Sequence, residues 1–473
     1  MIRLADVIEA LTGIRPTNAT QVITDAVIHS QRAIPGALFI AIPGQRVDGH
    51  DFIEDAFKRG AALAFVQRDM SAKIPTLDLR QELNPEAWIQ LDAQTPFCLF
   101  VEDTVKALQT IARFWRRKND VRVIGITGSV GKSTTKETIA EVLEQRYLTL
   151  KNQGNLNNEI GLPLTLLRLN ESYERVVLEM GFYVPGEITL LCDMALPQVG
   201  VITNIGTVHA ERAGSQETIA RGKVELIQAL PEGGVAILNY DDPWVRWMAG
   251  QTKARVLFYG LSPEADLWAD EVESLGLEGI RFCLHYQGDA IYMRIPMIGR
   301  HSVHTGLRAA AVGLVEGLSW QEINNGLRAT YAQLRLVAVR TQCGALVLDD
   351  TYNSTPESAL AALNLLSELE GHKVAVLGDM LELGSYEHLG HEKVGLRAGE
   401  VADELITVGT RAHTIARAAQ KAGLPADNIT ELENSDQVIE FLRNRLHEQD
   451  VVLVKGSRAM HMEEIVDTLE ASV

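Results

Sequence analysis

Short apolar runs punctuate this chain, and stretches with helical spacing follow them. In the middle of the chain the runs read VRVIGIT, RVVLEMG, VGVITNIG and VAILN. They lack the alternation of a half-exposed strand, so they predict strands buried on both faces of a parallel sheet. Helical segments lie between them. One is STTKETIAEVLEQ, with Ile139, Val142 and Leu143 on one face. Strands alternating with helices predict a doubly wound α/β sheet. A second series, ALVLDD, VAVLGDM, ELITVG and VVLVKG, follows a start near Arg335 and predicts a separate α/β domain. Ahead of both, GALFIAIPGQRVDGHDFIEDAFKRGAALAFV reads as strand, glycine-containing loop, helix and strand. The polar segment Lys73–Gln94 has little periodicity and reads as a loop or insertion near a boundary. The predicted organisation is therefore α/β throughout, in three domains. These are a small α/β domain over 1–98, a central, mostly parallel sheet over 99–333, and a Rossmann-like domain over 334–473.

One strand–helix junction carries recognisable chemistry. GITGSVGKSTTKE places a glycine turn between the strand VRVIGIT and the helix that follows. Gly128 and Gly131 let the backbone curl so that N–H groups face phosphate oxygens. The helix N-terminus adds partial positive charge. Lys132 is placed to reach the β- and γ-phosphates, and the Ser133 hydroxyl to ligate Mg²⁺. The usual pattern has a further glycine where this chain has Ile126.

Two neighbouring strands end on Glu179 and, beyond a short loop, His209. Ligands in open α/β sheets gather at carboxyl ends of strands, so both side chains are candidates for holding Mg²⁺ beside Ser133. The stretch NQGNLNNEIGLPL holds Asn152, Asn155, Asn157 and Asn158. Such amides serve equally as turn residues and as donors to phosphate or an oxyanion. Lys223, in ETIARGKVELIQAL, reads from composition alone as a solvated helix lysine.

Composition narrows the class. The 473 residues exceed one core, and the net charge of −18 argues against a nucleic-acid partner. The N-terminal MIRLADVIEALTGI is broken by charges, and no run reaches the length of a membrane span, so no membrane insertion is expected. Cys98, Cys192, Cys283 and Cys343 show no metal spacing or disulfide framework and read as buried thiols in the cytoplasm.

A resemblance adds to this reading. TGSVGKSTTKE, NQGNLNNEIGLPL, LEMG, TNIGTVHAE, ARGKVELI, GRHSVHTGLRAA, DDTYNSTPES and VLVKGSRAMHME resemble, in order and over nearly the whole chain, the motif series of the Mur ligases. Within that family, DDTYNSTPES and NLNNEIGLPL are similar to the MurF type, which joins D-alanyl-D-alanine to UDP-N-acetylmuramoyl-tripeptide. The Asp-Asn-Pro-Arg usual in the enzyme adding the third peptide residue is not in this sequence. GALFIAIPGQRVDGHDFIEDAFKRGA is similar to the family's UDP-sugar domain. The alternatives are a folate-polyglutamylating relative, against which that first domain argues, and a non-catalytic nucleotide switch, against which the full set of metal and phosphate residues argues.

The resemblance implies a cytoplasmic, monomeric ligase that uses ATP and Mg²⁺ and works through an acyl phosphate, with domain closure around its substrates. It implies Lys132, His209 and Lys223 as catalytic residues. It implies ATP contacts at Thr127, Gly128, Ser129, Val130, Gly131, Lys132, Ser133, Thr134, His301, Arg335 and Asp350. The UDP-linked substrate would meet Ser30, Gln45, Asn155, Asn157 and Asn158. The dipeptide would meet Asn353, Lys455, Ser457 and Arg458. Ser133, Glu179, His209 and Lys223 as a carbamate would hold the metal. Three departures stand out. Ser302 and Thr305 occupy positions where asparagine is usual near adenine, and Ser302 suits a helix N-cap. Gln31 stands where arginine is common, with Arg32 next to it. Leu334 precedes Arg335 where glycine is usual.

Overall fold

Three sheets organise the chain in this computed structural model, which describes residues 1–44, 47–81, 96–207, 211, 214–329, 337–443 and 445–471. The first sheet holds β1 (Ala26–Val27), β2 (Leu38–Ile40), β3 (Leu63–Val66), β4 (Thr76–Asp78) and β5 (Phe97–Phe100). All are parallel, in the order β1-β2-β3-β5-β4. Phe39, Phe65 and Phe97 are buried in it. The segment expected as a loop therefore carries a strand, β4. Only Leu77 of β4 turns inward, so no apolar run announces it. The expected boundary at residue 98 falls inside β5.

The second sheet holds β6 (Arg122–Thr127), β7 (Thr149–Lys151), β8 (Arg175–Glu179), β9 (Val199–Ile202), β10 (Val235–Asn239), β11 (Arg255–Gly260), β12 (Leu267–Ser274), β13 (Ile280–Tyr286) and β14 (Asp289–Ile295). Their order is β14-β13-β12-β11-β10-β9-β6-β8-β7. The strands β9 to β12 pair in parallel, whereas β12, β13 and β14 form an antiparallel meander. Strand order turns back at β6, the position at which open α/β sheets leave a crevice.

The third sheet holds β15 (Val337–Arg340), β16 (Leu346–Asp349), β17 (His372–Gly378), β18 (Glu404–Val408), β19 (Ile429–Leu432) and β20 (Asp450–Lys455), in the order β15-β16-β20-β17-β18-β19. Only β15 runs antiparallel to its neighbour. Its strands bury both faces. Leu348, Leu377, Leu405 and Leu453 join one core, while Val347, Val376, Val408 and Val454 join another. Uninterrupted apolar runs are what such doubly covered strands need.

Chain proximity separates two compact units, Met1–Gly125 with Tyr147–Gly181 and Glu187–Gln198, and Ile126–Arg146 with Phe182–Gly186 and Val199–Val473. In the first unit the helix Thr104–Lys118 begins at Asp103, whose carboxylate accepts from the N–H groups of Val105 and Lys106. Such a cap stabilises a helix by about 1 kcal/mol. Near the other end of that helix the buried Arg116 donates to the carbonyls of Ala195, Asn119 and Val121 at 2.7–2.9 Å. A guanidinium so satisfied ties the turn after its own helix to the end of the helix Glu187–Ala195. In the second unit the helix Lys132–Leu143 packs on the helices Val303–Val315 and Trp320–Ala329. A side chain at Gly326 would come within 2.5 Å of Val142 Cα, so glycine sets the close approach.

Three cysteines are buried as expected, and burial pushes the Cys98 thiol up to about 12. Cys343 is exposed instead, because it sits in the turn between β15 and β16. Among the described residues no helix is long and apolar enough to cross a membrane.

Candidate active site

The glycine turn after β6 is held from one side by the segment following β9. Thr203 N–H donates to Thr127 O at 3.0 Å, and Ser129 N–H to Asn204 O at 2.9 Å. The Asn204 amide then makes a reciprocal pair with Val130, accepting from its N–H at 3.0 Å and donating to its carbonyl at 3.1 Å. Gly206 N–H donates to Ser129 Oγ at 2.8 Å. Gly128 and Gly131 adopt φ +148° and +81°. A Cβ on Gly128 would lie 1.8 Å from Thr203 Oγ1, so only glycine fits there.

This arrangement redistributes the expected phosphate contacts. The amides of Ser129 and Val130 are engaged by Asn204. Gly131, Lys132, Ser133 and Thr134 stand at the start of the helix Lys132–Leu143, where N–H groups have no preceding turn to bond. The buried hydroxyls of Thr135 and Thr203 have no hydrogen-bond partner among the described residues.

Two lysines converge on one carbonyl. Lys132 Nζ donates to Gly128 O at 2.9 Å and to Ser129 O at 3.1 Å. Lys223 Nζ donates to Gly128 O at 3.0 Å. Lys223 is not the solvated residue its composition suggests, for it is 1% exposed. Its helix, Gln216–Gln228, begins at Ser215, whose Oγ accepts from Thr218 N–H. Its amine lies 4.8 Å from the centre of the Phe182 ring. A Cβ on Gly222 would meet that ring at 1.9 Å, so glycine makes room for the Phe182 ring beside Lys223. Burial first, and the nearby Lys132 second, push the Lys223 amine well below the usual lysine range. A buried amine of this kind is held toward its neutral, nucleophilic form.

The same unit gathers groups the sequence alone does not single out. Arg308, 4% exposed, donates to Thr305 Oγ1 at 2.7 Å and to the Tyr259 hydroxyl at 3.3 Å. Its Nη2 lies 3.4 Å from where a Gly131 Cβ would stand, which puts a buried cation beside the turn. Glu357, in the first turn of the helix Pro356–Glu368, accepts from Thr207 N–H at 3.0 Å and Thr207 Oγ1 at 3.1 Å. It ties that helix to the segment that walls the glycine turn.

Asp350, Asn353 and Lys455 also come together. Lys455 Nζ donates to Asp350 Oδ2 at 2.7 Å and to Asn353 O at 2.8 Å. Lys455 is therefore a buried ion-pair partner, and Asn353 offers it a carbonyl. Ser457 is buried and its Oγ accepts from Leu381 N–H at 2.8 Å. Arg458 is exposed and lies over the Tyr352 ring at 4.9 Å. His301 is exposed. Ser302 does not cap the helix Val303–Val315. A 3₁₀ turn, Arg300–Ser302, runs straight into it, and Ser302 Oγ donates back to Ile298 O at 2.8 Å.

In the other unit Glu179 ends β8 and is 2% exposed. Asn157 Nδ2 donates to its Oε1 at 2.8 Å, and Asn152 pairs with its backbone N–H and carbonyl at 2.9 and 3.0 Å. The asparagine loop thus orients this carboxylate. Asn158 Oδ1 accepts from Ile160 and Gly161 N–H at the start of the helix Gly161–Leu166, so it serves as a turn cap. Asn155 is exposed. Ser30 is buried in the 3₁₀ turn Ser30–Arg32, and its hydrogen bond helps hold the Asp55 carboxyl below its usual range. Gln45, His209 and Arg335 lie outside the described residues.

Comparison with known proteins places the chain in a family. Three family profiles fit the chain: Mur ligase family, catalytic domain, over 23–116; Mur ligase middle domain, over 126–313; and Mur ligase, glutamate ligase domain, over 334–458. The chain is 36% identical over 437 residues to the UDP-N-acetylmuramoyl-tripeptide–D-alanyl-D-alanine ligase of Bacillus subtilis (strain 168), covering 91% of this chain and 90% of that one. It is 33% identical over 478 residues to the Escherichia coli (strain K12) ligase of the same name, covering 99% and 98%. A crystal structure of MurF from Acinetobacter baumannii superposes with TM-score 0.83 at 29% identity, covering 99% and 98%. MurF from Thermotoga maritima in complex with ADP superposes with TM-score 0.79 at 27% identity, covering 98% of each chain. The chain belongs to the Mur ligase family and, within it, to the MurF ligases.

Proposed function

We propose that this chain joins D-alanyl-D-alanine to UDP-N-acetylmuramoyl-tripeptide at the expense of ATP. The convergence of the Lys132 and Lys223 amines on Gly128 O, inside a glycine turn at a helix start, carries this reading. A carboxylate oxygen of the tripeptide attacks the γ-phosphorus of ATP, and ADP leaves. The amine of the dipeptide attacks the resulting acyl phosphate. The tetrahedral intermediate expels phosphate, an amide forms, and the amine proton passes to solvent.

Each group has a place in this sequence. Lys132 and the N–H groups of Gly131 to Thr134 stabilise the transferring phosphoryl group. Arg308 adds a buried positive charge beside the turn. The first sheet, with Ser30, receives the UDP portion. The third sheet, through Asn353, Ser457 and Arg458, receives the dipeptide, with Lys455 holding Asp350 in place near the nucleotide. Of the asparagine-loop residues, Asn155 and Asn157 meet the UDP-linked substrate, and Asn157 also orients Glu179. By donor chemistry, Ser133, Glu179 and His209 would be the ligands for Mg²⁺, and the buried Lys223 amine, pushed toward its neutral form, would take up CO₂ to add an anionic carbamate. Mg²⁺ bound by these residues supplies charge neutralisation for the phosphoryl oxygens. A nucleotide-linked substrate and ATP suit a reaction in the cytoplasm.

The test is phosphate release from ATP in the presence of UDP-N-acetylmuramoyl-tripeptide, with and without D-alanyl-D-alanine. Release that requires both substrates is expected. Lys132→Ala should lower it about 10²–10³-fold, the scale of one transition-state donor, while binding of the UDP-linked substrate holds. Release that ignores the dipeptide, or near-normal turnover by Lys132→Ala, contradicts the proposal.

A further inference from the structure

The antiparallel meander β12–β14 carries a cluster that the ligase reaction does not use. Asp270 pairs in register with Cys283, and Trp268 with His285. Alternation along the two strands sends these four side chains to one face. The residues alternating with them, Leu267, Ala269, Phe282 and Leu284, are buried on the other face. The carboxylate, thiol and imidazole donor atoms of Asp270, Cys283 and His285 all lie within 4.8 Å of one another. His285 Nε2 is 2.8 Å from Asp270 Oδ1.

Two features fix this face. The His285 ring stacks on Trp268 at 3.9 Å between centres and 11° between planes, which sets where its nitrogen points. A bulge shifts the register between Asp270 and Glu273, with Glu271 at φ +48°. The bulge re-aims the strand beside the three donors. Cys283 is only 4% exposed, whereas the Asp270 side chain is 46% and that of His285 25% exposed, so the cluster opens to solvent on the carboxylate side.

We propose that Asp270, Cys283 and His285 form a binding site for a zinc-class divalent cation, distinct from the Mg²⁺ site of the ligase reaction. Donor atoms around a tetrahedral zinc stand roughly 3.3–3.8 Å apart, given bonds of about 2.0–2.3 Å. Binding would draw the three donors, now within 4.8 Å of one another, to that spacing, with solvent on the open side as the fourth ligand. One thiolate, one imidazole and one carboxylate favour Zn²⁺ or Co²⁺, whereas Mg²⁺ prefers oxygen ligands and does not select a thiolate. Binding forms a metal–sulfur bond and releases the thiol proton to solvent. This proposal is independent of the substrate assignment above.

Co²⁺ is the direct probe, because its bond to a thiolate gives a near-ultraviolet charge-transfer band. The full chain, stripped of metals, is kept reduced, saturated with Mg²⁺ and titrated with CoCl₂. The expected result is one thiolate-bound cobalt per chain, with quenching of a tryptophan signal that Trp268→Phe removes. Cys283→Ala should abolish the band and Cys343→Ala should leave it. His285→Gln and Asp270→Asn, on the open side, should each weaken binding at least tenfold. They also decide the matter if Cys283→Ala fails to fold, and neither should change ligase turnover. A band that is missing, that survives Cys283→Ala, or that ignores both His285→Gln and Asp270→Asn overturns the site.

Discussion

Two lysines, Lys223 and Lys455, are each 1% exposed, yet the protein treats them in opposite ways. Lys455, at the end of β20, meets the Asp350 carboxylate at 2.7 Å. Lys223 meets a carbonyl and an aromatic ring among the described residues, with a second amine, Lys132, close enough to oppose its charge. A buried charge with a countercharge is an anchor. A buried amine without one is driven toward the neutral form and becomes chemically available. The same residue type at the same burial is therefore paired with a countercharge in one region and pushed toward its neutral form in the other. The neighbours decide which.

Substitutions that exchange these roles would break the contrast. Lys223→Met should lower ligation about 10²–10³-fold in the phosphate-release assay, with folding stability unchanged or raised, because a desolvated amine has been replaced by an apolar chain. Lys455→Met should act first on stability. It strands Asp350 and should cost about 2–4 kcal/mol in urea unfolding, the lower end reflecting the 15% of the Asp350 side chain that reaches solvent.

The contrast also has a pH signature. The folded-state pKa of Lys223 lies well below its unfolded value. Between the two values the unfolded chain binds a proton that the folded chain does not, so stability rises with pH until about 10.4 and levels off above it. In metal-free, degassed buffer the wild type should gain on Lys223→Met by at most about 1.4 kcal/mol per pH unit between neutrality and that point. A parallel pair of stability curves would remove the depressed amine from the account. The smallest effect belongs to an exposed pair. Arg146, with Ser319, holds the Glu322 carboxyl at about 2. That contribution is present above pH 4.5 and is lost as pH falls toward 2, so Arg146→Ala should flatten only the acid limb of the stability curve.

What the sequence disclosed follows from the range of each interaction. The glycine turn was legible because its strand, glycines, lysine and helix start are consecutive. The strands β6, β8, β9, β10, β16, β17, β18 and β20 were legible because burial on both faces leaves uninterrupted apolar runs. The meander β12–β14 escaped notice because its outward face, with Trp268, Asp270 and His285, dilutes that pattern. The wall of the turn was also hidden. Asn204 lies 74 residues from Val130, and Glu357 lies 150 residues from Thr207, and no local spacing joins them. Lys223 sits in a helix whose composition suits solvent equally well, and only the packing of Phe182 over Gly222 shows its burial. Ser302 has the chemistry of a cap but lacks the extended backbone one requires, because a 3₁₀ turn precedes it.

The most direct test of the account is carbon-13 NMR of the protein equilibrated with ¹³C-labelled bicarbonate, ATP and Mg²⁺. A lysine carbamate resonance should appear in the wild type, persist in Lys455→Met and vanish in Lys223→Met. A wild-type spectrum without that resonance, or a resonance that survives Lys223→Met, would contradict the claim that the buried Lys223 amine, pushed toward its neutral form, takes up CO₂.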